Sequence, residues 1–208
     1  MGLSASLWRQ NLDLAHACLD HPFVQGIADG SLARDCFAYY IGQDAFFLDA
    51  FARAYSLAAA KAPCRESFAT LHHLASGVLT ELELHEGYAL SWDIDIHTVQ
   101  PGSATRQYTD FLGATAWSQP LGVTVVAMAP CMRLYAFLGQ SLAQQQPLSS
   151  SYHAWVDTYS SPEFEQLAQQ IEALVDDYAQ DSPLVQSTYR YAMVCEARFF
   201  AAAFQHPS

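Results

Sequence analysis

Three side chains able to do chemistry stand on otherwise apolar helical faces. Asp44 lies in Tyr40-Ile-Gly-Gln-Asp44-Ala-Phe-Phe-Leu48. At helical spacing it shares a face with Tyr40, Phe47, Leu48 and Phe51. A carboxyl among aromatics needs a donor, either a tyrosine or tryptophan of the fold or a ligand. Cys131 follows Pro130 inside Ala127-Met-Ala-Pro-Cys-Met-Arg-Leu-Tyr135. A proline within a helix removes a backbone hydrogen bond and costs roughly 3 kcal/mol unless compensated, so a kink is predicted there, with a carbonyl near Val126 unpaired. A thiol beside such a kink, one turn from a phenol, is either an inert apolar residue or a nucleophile tuned by local charge and hydrogen bonds. Glu196 lies between Cys195 and Arg198 and shares a face with Phe199, Phe200 and Ala203. It is either a general acid or base of raised pKa or one half of a salt bridge to Arg190 or Arg198. Tyr159, in Trp155-Val-Asp-Thr-Tyr159-Ser-Ser-Pro, approaches a helix start from which its hydroxyl could orient such a glutamate.

The elements that must carry these residues are helices. Phe164, Leu167, Ala168, Ile171, Leu174, Val175 and Tyr178 follow the i, i+3, i+4, i+7 template. Ser161-Pro162-Glu163 supplies a cap, a first-turn proline and an early acid, and Ser182-Pro183 repeats the start signal. With Asp20 or His21, Gly30, Pro63, Pro101-Gly102, Pro120, Pro147, Ser160 and Ser182 as punctuation, helices are predicted over about 3–20, 33–61, 64–91, 103–117, 120–146, 161–180 and 183–205, with shorter pieces near 22–29 and 149–158. Asp93-Ile94-Asp95-Ile96-His97 alternates but is short, and reads as a connection. No repeat or linker divides the chain, so residues 1–208 are expected to form one all-α bundle, with any small-molecule site between facing helices.

Composition narrows the function. The 208 residues are 51% hydrophobic and 14% charged, with 9 Lys and Arg against 21 Asp and Glu, a formal charge of -12. That balance argues against nucleic acid and against anionic lipid. The most apolar window, Pro120 to Leu138, approaches membrane-spanning length, about 20 residues. Two prolines and Arg133 interrupt it, so a buried helix is expected. Five scattered cysteines without a Cys-x-x-Cys pair, and no visible secretory signal, fit a reducing cytoplasm.

Metal readings are weak. Di-iron bundles use Glu-x-x-His on two helices, and the sequence contains none. Glu81 and His85 could share a ligand face but have no second pair, and His72 and His73 diverge around their helix. Haem ligation by His16 or His21 lacks a second supporting feature. Neither a metal nor a cofactor is expected.

Taken in order, His21-Pro22-Phe23-Val-Gln-Gly-Ile27, Tyr40-Ile-Gly-Gln-Asp44 with its aromatic pair, Ala58-Ala-Ala-Lys-Ala-Pro63, Tyr108-Thr-Asp-Phe-Leu112, Ala129-Pro-Cys131 with Tyr135, Trp155-Val-Asp-Thr-Tyr159 before Ser-Pro-Glu-Phe164, and Glu196 before Phe199 resemble the TenA family (thiaminase II) of the haem-oxygenase-like fold, in its cysteine-bearing branch. The resemblance spans nearly the whole chain. It implies a cytoplasmic hydrolase of thiamine salvage that releases 4-amino-5-hydroxymethyl-2-methylpyrimidine from aminopyrimidine degradation products or thiamine, without a cofactor, as a homotetramer. It further implies that Asp44 holds the exocyclic amine and adjacent ring nitrogen, Cys131 adds to the ring, and Glu196 moves protons. Tyr135 and Tyr159 would position Cys131 and Glu196, while Tyr108, Phe23 and Phe199 enclose the ring. Phe47 stands where many members carry tyrosine, which removes one possible donor. Two other classes share the fold signal: an oxidoreductase resembling pyrroloquinoline-quinone synthesis protein C, and a non-catalytic binder of pyrimidine or thiamine.

Overall fold

A computed structural model describes residues 2–91, 99–145 and 152–205. Among the described residues there are ten helices and no strand: α1 (Leu3–Gln10), α2 (Leu12–Leu19), α3 (Pro22–Asp29), α4 (Arg34–Ala60), α5 (Arg65–Ser91), α6 (Ser103–Ser118), α7 (Leu121–Ala143), α8 (His153–Ser160), α9 (Pro162–Tyr178) and α10 (Pro183–Phe204). The all-α expectation holds. The alternating stretch at Asp93–His97 and the signal at Pro147 lie outside the described residues.

Helix starts follow the capping logic of the sequence. Ser161 Oγ accepts from the Phe164 amide at 3.1 Å, and Ser182 Oγ from the Val185 amide at 3.3 Å. Of the two candidates near residue 20, His21 is the cap, its Nδ1 accepting from the Phe23 amide with Pro22 at the first turn. Gly30 ends α3 at φ 77, the left-handed conformation that glycine adopts without a Cβ clash.

Two expectations shift. The single helix over 3–20 is two helices, because Asn11 turns its side chain back to the Leu7 carbonyl at 2.8 Å and leaves helical geometry at φ -118. Such a side-chain bond competes with the helix ladder. The piece near 149–158 is α8, displaced to begin at His153. Pro130, by contrast, does not end α7, which runs helical on both sides of it.

α4 and α7 organise the bundle. α4 packs on α5, α6, α7 and α10, and α7 packs on α6, α8, α9 and α10. α7 is long and apolar enough to cross a membrane, yet 78% of its apolar window is buried inside the bundle. Packing on several sides accounts for its apolarity. Its one charge, Arg133, is held by α9: Nη1 bonds Glu165 at 2.9 Å and Nη2 bonds Glu172 at 2.7 Å. Gly139 lets α8 approach α7 closely, since a Cβ there would lie 2.4 Å from the Tyr159 carbonyl carbon. That close approach brings Tyr159 to the centre of the bundle.

Candidate active site

Asp44 from α4, Cys131 from α7 and Glu196 from α10 converge in the core, exposed by only 4%, 9% and 2%. The Cys131 thiol and the Glu196 carboxyl are neighbours, close enough that each perturbs the other's proton affinity. Tyr108, on α6, donates to Glu196 Oε1 at 2.7 Å. The alternative salt bridges for Glu196 are absent. Arg190 pairs with Asp13 at 2.8 Å, and Arg198 reaches Gln107 at 3.0 Å. Glu196 is thus a buried acid held by a phenol, with a thiol beside it.

A narrow cleft opens between α4, α5, α7 and α8. Asp44, Phe47, Cys131, Tyr135 and Tyr159 line it, together with Glu81 of α5. Its volume of about 20 Å³ is little more than the room for one ordered water. A planar ring therefore enters only if wall side chains move, and Met132, unbranched and adaptable, stands on that wall.

The electrostatics follow from three acids buried close enough to act on one another. Burial pushes the Asp44 carboxyl well above the usual range, and Glu81 and Glu196 push it further. Burial raises Glu196 to about 7, against the Tyr108 and Cys131 hydrogen bonds that lower it. Burial also raises the Cys131 thiol well above its ordinary value, with Glu196, Asp44 and Glu81 adding to the effect. Cys131 therefore rests as a neutral thiol, so any attack by its sulfur would require removal of that proton. The neighbouring Glu196 carboxylate can take that proton.

Several supporting residues sit differently from the sequence expectation. Tyr159 does not orient Glu196; its hydroxyl donates to Glu81 Oε1 at 2.7 Å. The partner of Glu196 is Tyr108, expected only as a ring wall. Tyr135 does line the cleft beside Cys131, and its hydroxyl accepts from Tyr40 at 3.2 Å, which in turn accepts from Trp155 Nε1 at 3.2 Å. Phe23 lies behind Tyr40, at 5.1 Å between ring centres, instead of on the cleft wall. Phe199 packs on Phe47 at 6.1 Å, and Phe47 stacks on Phe51 at 5.2 Å.

Glu81 is the site residue that sequence reasoning missed. It was weighed only with His85 as a metal pair, and the His85 side chain lies outside the described residues. The signal was available in the register of α5, where Leu71, Leu74 and Val78 are buried and Glu81 continues their face. His16, once weighed for haem, sets its ring edge-on to Phe137 at 5.7 Å. Tyr55, fully buried on α4, has a hydroxyl near Cys131 and Glu81 with no hydrogen-bond partner among the described residues.

Comparison with known proteins matches the model of the TENA/THI-4/PQQC family over residues 8–202. The mitochondrial bifunctional TH2 protein of Arabidopsis thaliana is 36% identical over 208 aligned residues, covering 87% of this chain. The chain spans 34% of that protein's length. The aminopyrimidine aminohydrolase of Halalkalibacterium halodurans is 30% identical, with 86% of this chain and 83% of that protein covered. Among solved structures, a TenA family transcription regulator from Silicibacter sp. TM1040 superposes with a TM-score of 0.91 at 25% identity, covering 99% and 98% of the two chains. A domain of unknown function from Shewanella denitrificans, described as having a heme oxygenase-like fold, superposes at 0.75 with 13% identity over 97% and 91%, and shows the fold alone. By a match that runs from α1 to α10, the chain belongs to the TENA/THI-4/PQQC family.

Proposed function

We propose that the chain is an aminopyrimidine aminohydrolase of thiamine salvage, with Cys131 as nucleophile. The observation that carries the proposal is the convergence of a buried thiol, Cys131, with a neighbouring buried carboxyl, Glu196, and with Asp44 on the same cleft as the thiol. The name borne by the 30% identical relative supports the same substrate class.

The chemistry runs as addition and elimination. Asp44, whose hold on a proton is strengthened by burial, donates in its protonated form to a ring nitrogen of the 4-aminopyrimidine and accepts from the adjacent exocyclic amine. The Cys131 sulfur adds to the ring carbon beside the one bearing the aminomethyl group, and its proton passes to Glu196. The ring double bond moves to the exocyclic carbon, and the amine leaves as ammonia with a proton from Glu196. Water then adds to the exocyclic methylene and gives its proton to Glu196. The carbon–sulfur bond breaks, and the sulfur recovers that proton. The net change exchanges the amino group for a hydroxyl: aminomethylpyrimidine and water give hydroxymethylpyrimidine and ammonia. One difficult displacement becomes two easier steps, and the same acid serves both.

A product assay with aminomethylpyrimidine and thiamine side by side tests the proposal. Hydroxymethylpyrimidine should form from the first, and Cys131→Ala should nearly abolish it. An Ala variant working at the wild-type rate would remove the nucleophile assignment.

A further inference from the structure

We infer that Glu81 is the residue by which this site recognises a positively charged leaving group, the protonated aminomethyl nitrogen of the substrate. The inference deepens the aminohydrolase reading and rests on it. Glu81 and Asp44 both line the cleft, but they are held differently. Glu81 Oε1 takes one hydrogen bond, from Tyr159 at 2.7 Å, and Tyr159 is its one partner among the described residues. Tyr159 is itself fixed by edge-on packing against Tyr135, Trp155 and Phe164, with ring centres 4.7 to 4.9 Å apart. The carboxylate is therefore aimed by a rigid aromatic hinge and keeps acceptor capacity to spare. Behind the cleft, the Tyr55 hydroxyl, near enough to feel the Glu81 charge, is fully buried and makes no bond to the described residues.

Among the described residues that line the cleft there is no Lys, Arg or His. A carboxylate that keeps acceptor capacity in a low-dielectric space favours a cationic guest. Division of labour follows from the substrate's geometry. Asp44 engages the 4-amino edge of the ring, and Cys131 attacks on the other side of the carbon that bears the aminomethyl arm. The arm therefore projects between these two residues, into the cleft that Glu81 lines with them. An ammonium held there departs as ammonia without drawing a proton from Glu196. Once the carbon–nitrogen bond has broken, the ammonia takes the proton that Glu196 accepted from the thiol and leaves as ammonium, and Glu196 is free to accept one from water. A thiazolium leaving group carries the same positive charge and meets the same carboxylate.

The test compares two ligands that differ in charge at one position, 5-aminomethyl- and 5-hydroxymethyl-4-amino-2-methylpyrimidine. Their binding is measured calorimetrically in a Cys131→Ala background that blocks turnover. Glu81→Gln should weaken the amine by about 10- to 100-fold, as expected for losing a charged hydrogen bond, and leave the alcohol within about 3-fold. Glu81→Asp, which keeps the charge, should retain a preference for the amine. Equal losses for both ligands, no loss for either, or identical behaviour of the Gln and Asp variants would each overturn the assignment. Those outcomes leave the aminohydrolase reading standing if the wild-type protein turns over the amine. A wild-type protein that binds neither pyrimidine overturns that reading and the role of Glu81 with it.

Discussion

Tyr108 and Glu196, on α6 and α10, meet through a 2.7 Å hydrogen bond in which the phenol donates to the carboxyl. The bond stabilises the charged form of Glu196 and offsets part of the burial that raises its pKa to about 7. Glu196 must be ionised to take the thiol proton, so activity should rise with pH through an acid limb near 7. Tyr108→Phe removes a donor from the carboxylate and should move that limb to higher pH, with the plateau rate less affected than the rate at pH 6. Profiles of kcat/KM against pH for both proteins provide the check. An unmoved limb would mean that Glu196 is not the group titrating.

The same carboxyl makes stability depend on pH. Its folded pKa of about 7 exceeds the ordinary 4.5, so between those values the folded state binds more protons than the unfolded chain. Stability then falls as pH rises through this window and levels off above it, by roughly 3 kcal/mol for a shift of this size. Asp44 and Glu81, also raised, act in the same direction. Glu196→Gln cannot ionise and should flatten part of the slope. Urea unfolding at pH 5 and pH 8 measures it, and equal slopes in the two proteins would count against the buried, uncompensated state of Glu196.

Thiol reactivity should separate two cysteines. Cys64 is exposed just before α5, and its sulfur lies 3.2 Å from Ser67 Oγ and 3.7 Å from the Tyr178 hydroxyl. Hydrogen bonds from Ser67 and Tyr178 lower its pKa to about 7. Cys131 is buried and raised. A small alkylating reagent at pH 7.5 should therefore label Cys64 first and leave the aminohydrolase rate unchanged, because the Cys64 groove, about 230 Å³ between α5 and α9, contains no residue of the cleft. Mass spectrometry of the labelled protein locates the adduct. Fast labelling of Cys131 without substrate would show that its thiol is activated at rest, against the proton-transfer route through Glu196.

How far the sequence reached depended on the range of the interaction concerned. Helix starts at Ser161 and Ser182 were legible because caps are local. Asp44, Cys131 and Glu196 stood out because polar groups are scarce on apolar faces. Which phenol holds which acid was not legible. Tyr108 is 88 residues from Glu196, and Tyr159 is 78 from Glu81, so both pairings depend on how helices cross. The break at Asn11 escaped because its cause is a single side-chain bond within a convincing apolar period. Glu81 was hidden by a competing reading of the same helix face, in which His85 made it a metal ligand.

Gly139 offers a test of how helix crossing serves the site. A Cβ at this position would lie 2.4 Å from the Tyr159 carbonyl carbon and 2.6 Å from the Ser160 nitrogen, both backbone atoms that cannot rotate away. Gly139→Ala gains about 1 kcal/mol of helix propensity, but separating two packed helices costs roughly 1–3 kcal/mol. The clash should win, with a net loss of about 1 kcal/mol and a lower Tm. Pushing α8 outward also draws the Tyr159 hydroxyl from Glu81, so KM for the aminomethyl substrate should rise more than the stability loss alone accounts for. Thermal unfolding and steady-state kinetics on the one variant measure both effects. An Ala variant as stable as the wild type, with unchanged KM, would mean that α8 is not held against α7 as closely as the Tyr159–Glu81 contact requires.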